Sequence, residues 1–161
     1  MAVHGYMKLE GKKQNLISAG CSTKESIGNK SQTAHADEIM VLACTHDLAN
    51  LENLDKPSHS PILITKFVDK SSPLLARALA QREEVNATID FYRTAGAAGL
   101  VKFYSVTLNG GMIVGLTFDL PHVLHEPDAE AQEHLALRYQ DISWTNHLAN
   151  TSGHAFWGEE S

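Results

Sequence analysis

The apolar residues of this chain recur at every second position, and that period limits its fold more than any other feature. In residues 85–92, VNATIDFY, Val85, Ala87, Ile89 and Phe91 alternate with Asn86, Thr88 and Asp90. Successive side chains of an extended backbone point to opposite faces, so the pattern describes a strand with one face buried. Residues 112–120, MIVGLTFDL, repeat it, which predicts Met112, Val114, Leu116, Phe118 and Leu120 on one inward face. Elsewhere the phase slips: Val101 and Phe103 give way to Val106 and Leu108, and Leu135, Leu137 and Tyr139 to Ile142 and Trp144. A β-bulge or a barrel corner produces such a slip. Asn109-Gly110 lies between two strand patterns and is expected to turn a hairpin, since both residue types accept positive φ. TAGAAG, 94–99, is expected to make a second hairpin connection, and further strands are expected near 3–9, 38–45 and 61–68.

One helix is expected, in SSPLLARALAQ, with Ser72 as N-cap, Pro73 at the first helical position and Leu75, Ala78 and Leu79 as its apolar face. Many strands with a lone helix point to a mainly β fold: a compact β-barrel of two packed sheets, one short flanking α-helix and long protruding loops. The 161 residues contain no repeat or linker, so 1–161 is read as a single domain. Two polar segments exceed ordinary loop length, 19–37 and 46–60. In the second, Leu48, Leu51 and Leu54 recur every three residues. They form either a short helical turn packed on their own barrel or an arm whose leucines are buried only by another subunit.

The net charge of −6, with Lys and Arg scattered, argues against a nucleic-acid partner. No apolar run approaches the ~18 residues of a membrane span, so no membrane insertion is expected. MAVHGYMKLEGKK lacks the features of a signal peptide. Synthesis in the cytoplasm follows, with any export by a route other than general secretion. Cys21 and Cys44 are expected as free thiols, Cys44 in the core. Cys21 with His35 resembles a nucleophile and its base, with Lys24 and Asp37 nearby, but no strand-to-helix elbow accompanies it. His122, His125 and Glu126 in HVLHEPD are the closest metal-ligand set, and scattered surface histidines explain them more simply. The pairs Glu83-Glu84 and Glu159-Glu160 need only be solvated. No catalytic, cofactor-binding or metal residue is therefore expected. The alternative is a monomeric β-barrel enzyme or a ligand- or metal-binding protein using Cys21/His35, His122/His125 or a pocket at the barrel mouth.

Three segments, GKKQNLISAGCSTKESIGNKSQTAHADEIMVL (11–42), VDKSSPLLARAL (68–79) and LRYQDISWTNHLANTSGHAFW (137–157), together resemble the Hcp family, the haemolysin-coregulated proteins of bacterial type VI secretion, in its enterobacterial-type subgroup. The resemblance implies a barrel subunit, six copies of which close into a ring. Rings stack into a tube inside a contractile sheath, on baseplate components and beneath a VgrG-type spike. The tube is expelled from the cell and carries or protects small effector proteins in its lumen, serving bacterial competition and virulence. Some subgroup members carry a toxic domain after the barrel; the chain ends at Ser161, and no such extension is expected. On this resemblance Leu48, Leu51 and Leu54 are expected as ring-contact anchors, and the 19–37 segment, with Ser26, Asn29 and Gln32, is expected at a subunit interface or on the lumen side.

Overall fold

The structure is a computed structural model that describes residues 3–158; Glu159 and Glu160 lie outside the described residues. The strands are β1 (Val3–Gly11), β2 (Asn15–Leu16), β3 (Ile39–Thr45), β4 (Leu48–Ala49), β5 (Ser58–His59), β6 (Ile62–Phe67), β7 (Glu84–Thr94), β8 (Leu100–Asp119), β9 (Gln132–Arg138), β10 (Asp141–Asn146) and β11 (Thr151–Phe156). The helices are α1 (Lys24–Ile27), a single turn, and α2 (Ser72–Ala80). Strand β8 bonds both β7 and β9, so the ladder β8–β7–β1–β3–β6–β9 returns to its start and the sheet closes. Closure removes free edges from that circuit. Strands β10 and β11 extend from the first half of β8 as a flap, and β4 pairs only with β5.

The alternation is observed where it is expected to face inward. Val85, Ala87 and Ile89 of β7, Leu135 and Leu137 of β9, and Met7 and Leu9 of β1 are buried, and α2 adds Leu75 and Ala78. Each such Val, Leu, Ile or Met side chain stabilises the fold by about 1.5–3 kcal/mol, and each alanine by less. Cys44 is half-buried against this core.

Asn109-Gly110 does not turn a hairpin. Strand β8 runs through it for 20 residues, and only Gly110 takes a positive φ, 60°. The register against β7 shifts there, from Ala87↔Leu108 to Val85↔Gly111. This is a bulge that re-aims the strand, so its second half leaves β10 and pairs with β9. The phase inverts with it. Ile113 points inward, while Val114, Phe118 and Leu120, expected inside, are exposed, and Met112 and Leu116 are only partly buried. The slip after Tyr139 is likewise a break between two strands, β9 and β10.

Ser72 is not the N-cap of α2. Ser71 occupies that position without a side-chain cap, and Pro73 stands just inside the helix. The Ser72 hydroxyl instead accepts from the Asp69 amide (2.9 Å) and donates to Glu133 (2.5 Å). The reason is a lysine that period two places inside. Along β6 the inward positions are Ile62, Ile64 and Lys66, and Lys66 is fully buried. Its ammonium meets Glu133 at 2.7 Å, Asp69 at 3.1 Å and the Phe67 carbonyl at 2.9 Å. Ser71 gives both its amide and its hydroxyl to Asp69. The helix entry is thus drawn into satisfying a buried charge, which a lone charge in such a place requires.

Glu83, expected on the surface, is also buried. Burial alone would raise its carboxyl, but the backbone amides of Gln14 (2.9 Å) and Lys13 (3.1 Å) bond its Oε2 and hold it below the usual glutamate range. Gly11 must be glycine beside it, since a Cβ there would collide with the carboxylate. Glu84 pairs with Lys12 at the surface. Glu83→Ala leaves two amides unbonded and is expected to lower unfolding stability by about 2–3 kcal/mol in urea titrations at neutral pH. Because the carboxyl is depressed in the fold, its contribution is complete above the ordinary glutamate range and is lost as pH falls through the folded-state value. The gap between wild type and variant should therefore narrow in acid; a gap that does not change with pH would show that the carboxylate is not what holds the turn.

Candidate functional site

Residues 46–60 form neither a helical turn nor a loop laid on the barrel. They form an antiparallel hairpin, with Leu48 opposite His59 and Ala49 opposite Ser58. Its tip is ordered locally: the Asn50 side chain donates to the Leu54 carbonyl (2.8 Å) and accepts from the Leu54 amide (2.7 Å). Leu51 is 97% exposed, and Leu48 and Leu54 are exposed too. Three leucines held in water on an ordered arm are a cost that the isolated subunit does not recover.

The root of this arm is the opposite. His46 enters it and His59 leaves it, and both rings bond the hydroxyl of Tyr139, His46 Nε2 at 2.8 Å and His59 Nδ1 at 2.6 Å. Trp144 lies beside His46, and Trp157 packs beside His59 and Tyr139. Burial, and for His46 also the neighbouring His59, holds both imidazoles below the ordinary histidine value. Burial pushes the Tyr139 phenol up to about 12. A second apolar surface lies where β8 emerges: Val114, Phe118 and Leu120, with Val123 and Leu124 in the following loop.

In the 19–37 segment Cys21 and His35 do not act on each other. Cys21 is buried, its Sγ directed to the Ile17 carbonyl at 3.8 Å. Burial and then the Asp69 charge push its thiol up to about 11, the wrong direction for a nucleophile. His35 is stacked on Tyr6 at 3.9 Å and reaches Glu38 at 3.3 Å. Ser26 accepts the Lys70 amide, while Asn29 and Gln32 are exposed. His122 and His125 lie 4.3 Å apart between ring centres, but His122 Nδ1 accepts the amides of Leu124 and His125 and is occupied. Among the described residues no three His, Cys, Asp or Glu side chains converge on a point where an ion could sit.

A Ser–His–Asp grouping at the flap has no signature in the sequence. Ser105 Oγ donates to Asp90 at 2.5 Å and faces His147 Nε2 at 2.8 Å. With its single proton given to the carboxylate, the hydroxyl can only accept from His147. A general base needs a bare nitrogen facing the hydroxyl proton, so the order is inverted for nucleophilic catalysis. The Tyr139 hub escapes sequence reasoning for a related reason: its partners lie 93 and 80 residues away in the chain. Only the histidine count hints at either. No helix among the described residues is long and apolar enough to cross a membrane.

Comparison with known proteins gives a consistent set of relatives. Residues 6–146 match the family described as "Type VI secretion system effector, Hcp". The chain is 34% identical to the "Major exported protein" of Pseudomonas aeruginosa, over 98% of this chain and 96% of that one. It is 31% identical to "Uncharacterized protein YhhZ" of Escherichia coli, over 91% of this chain but 36% of that longer protein. Among solved structures, "Crystal structure of Hcp protein" superimposes with a TM-score of 0.91 at 29% identity, over 99% of this chain and 100% of that one. "Secreted protein Hcp3 from Pseudomonas aeruginosa" does so with a TM-score of 0.85 at 34% identity, over 98% and 100%.

Proposed function

This chain belongs to the Hcp family of type VI secretion proteins, and from that premise we propose that it is a tube subunit whose activity is self-association, six copies closing into a ring and rings stacking into a hollow, exported tube. The observation that carries this reading is the arm: an ordered hairpin that presents Leu48, Leu51 and Leu54 to water and finds no cover on its own barrel. A ring needs a heterologous interface that closes by rotation, and a stack needs a second one that stays open. In this proposal the three leucines anchor one of these contacts. Ser26, Asn29 and Gln32 lie at a subunit boundary or on the lumen. Spike, sheath and baseplate engage the finished tube, and small effector proteins occupy its bore. The subunit works without cofactor or catalysis, and its route out of the cytoplasm is the contractile machine itself.

Native mass spectrometry of the purified chain tests the central step. A species with six times the 17.6 kDa subunit mass is expected. A monomer at every concentration would remove the proposal.

A further inference from the structure

The hydrogen bonds at the arm root form a chain with one proton for each bond. The Tyr139 hydroxyl has one proton and lies between two imidazoles, so when both rings are neutral it donates to one and accepts from the other. With His59 as the donor ring, the hydroxyl donates to the bare Nε2 of a neutral His46 across 2.8 Å. The Tyr139 oxygen is left as acceptor for a His59 Nδ1–H at 2.6 Å. The other nitrogen of His59, Nε2, is buried and has no hydrogen-bond partner among the described residues. Two protons thus serve the two bonds at Tyr139.

An added proton leaves either an unmatched donor or a broken bond in this chain. Protonating His59 creates a buried N–H⁺ at Nε2 that no described residue accepts. Protonating His46 sets Nε2–H against the Tyr139 O–H; if the hydroxyl turns away, its own hydrogen loses its acceptor. A second proton then places two like charges on rings that share one hydroxyl, between Trp144 and Trp157. Releasing His46 and His59 from Tyr139 relieves all of this, and these two residues are the two ends of the arm.

We propose that the His46–Tyr139–His59 chain is a proton-operated latch, holding the arm root on the barrel at neutral pH and letting it go in mild acid. The surrounding groups do not offset the effect. Asp47 favours the charged His46, but burial and His59 oppose it more strongly. Around His59 stand Asp55, Lys56 and His154, the last bonded to Asp141, while Arg138 lies over the Trp157 ring. Cys44, on the strand leading to His46, is uncharged, its thiol pushed up to about 11 by burial. The sign follows from the lowered imidazoles. The docked root binds fewer protons than the released one, so docking is strongest above the ordinary histidine value and weakens as pH falls below it. The consequence for assembly rests on the tube reading: an arm that has left its root presents its leucines in no fixed place, so acid should dissolve arm-mediated contacts.

Hydrogen exchange on the full chain at pH 7.5 and 5.0, corrected for intrinsic rate, tests the latch. Protection of amides in 48–49 and 58–59 is expected to fall at pH 5.0, by at most about thirtyfold per ring, the limit set by the gap between pH 5.0 and the ordinary imidazole value of about 6.5, while protection in β7 is unchanged. His46→Gln with His59→Asn puts an amide where Nε2 and Nδ1 stand and should flatten the response. Tyr139→Phe, which keeps the ring in the core, should flatten it independently. Equal pH responses in wild type and in both variants would overturn the latch. Native mass at the two pH values separates it from the tube reading. Rings at pH 7.5 that disperse at pH 5.0 in wild type alone support both. Rings that persist at pH 5.0 while the arm loosens overturn the assembly consequence, and no ring at either pH overturns the tube reading and leaves the exchange data to decide the latch.

Discussion

Lys66→Met should cost about 3–5 kcal/mol of unfolding stability, the range for removing one partner of a buried ion pair. The methionine fits the space, so the loss comes from charge and not from volume. Asp69 and Glu133 would keep their positions beside each other with no cation between them, and both are almost fully buried. Because Ser71 and Ser72 are bonded to the same two carboxylates, the entry of α2 should loosen with them. Urea unfolding of wild type and variant measures the loss, and exchange of the α2 amides locates it. Adding Asp69→Asn and Glu133→Gln to Lys66→Met should recover a substantial part, since an uncharged site avoids the desolvation that the ions incur. A loss under about 1 kcal/mol for Lys66→Met, the size of an exposed pair's contribution, would show that this network does not hold the helix to the barrel.

The second large effect is expected on assembly. Leu51→Asp with Leu54→Asp changes two exposed side chains, so the unfolding midpoint of the subunit should stay within experimental scatter. If the leucines are anchors between subunits, each is worth about 2 kcal/mol or more, roughly thirtyfold in affinity for each anchor removed. A ring or stack repeats the interface, and the weakening compounds with every copy. The expected outcome is a folded monomer, or single rings that never stack, in native mass spectrometry and electron microscopy. Tubes that survive the double substitution would take the arm out of the interface.

What can be read from the sequence follows from what period two can carry. It places β7 and β9 because these strands bury one face and keep one phase. It fails along β8, where Gly110 inverts the phase within an unbroken strand, so that Val114, Phe118 and Leu120 look like core and are not. Asn-Gly reads as a turn because positive φ is needed in a turn and in a bulge alike; the difference lies in whether neighbouring strands continue past it. Lys66 and Glu83 do not read as buried from residue type, because part of Lys66's compensation comes from Glu133 and that of Glu83 from the amides of 13–14, far off in the chain. In the arm, the spacing of the leucines raises the question of exposure, but only the pairing of Leu48 with His59 shows a hairpin. The family is legible from motifs 11–42, 68–79 and 137–157 and agrees with the comparisons.

The closed ladder also sets a timetable for the ribosome. Strand β1 is the first made, yet all nine of its residues find their partners in β7, whose last residue is Thr94. The circuit shuts only when β9 exists to bond both β6 and β8, which requires residues up to Arg138. Such non-local pairing is slow because distant segments must meet before any bond rewards them. The nascent chain therefore carries open strand edges, such as the β7-facing edge of β1, through much of its synthesis. A cell that needs many copies must keep those growing chains apart until each has closed.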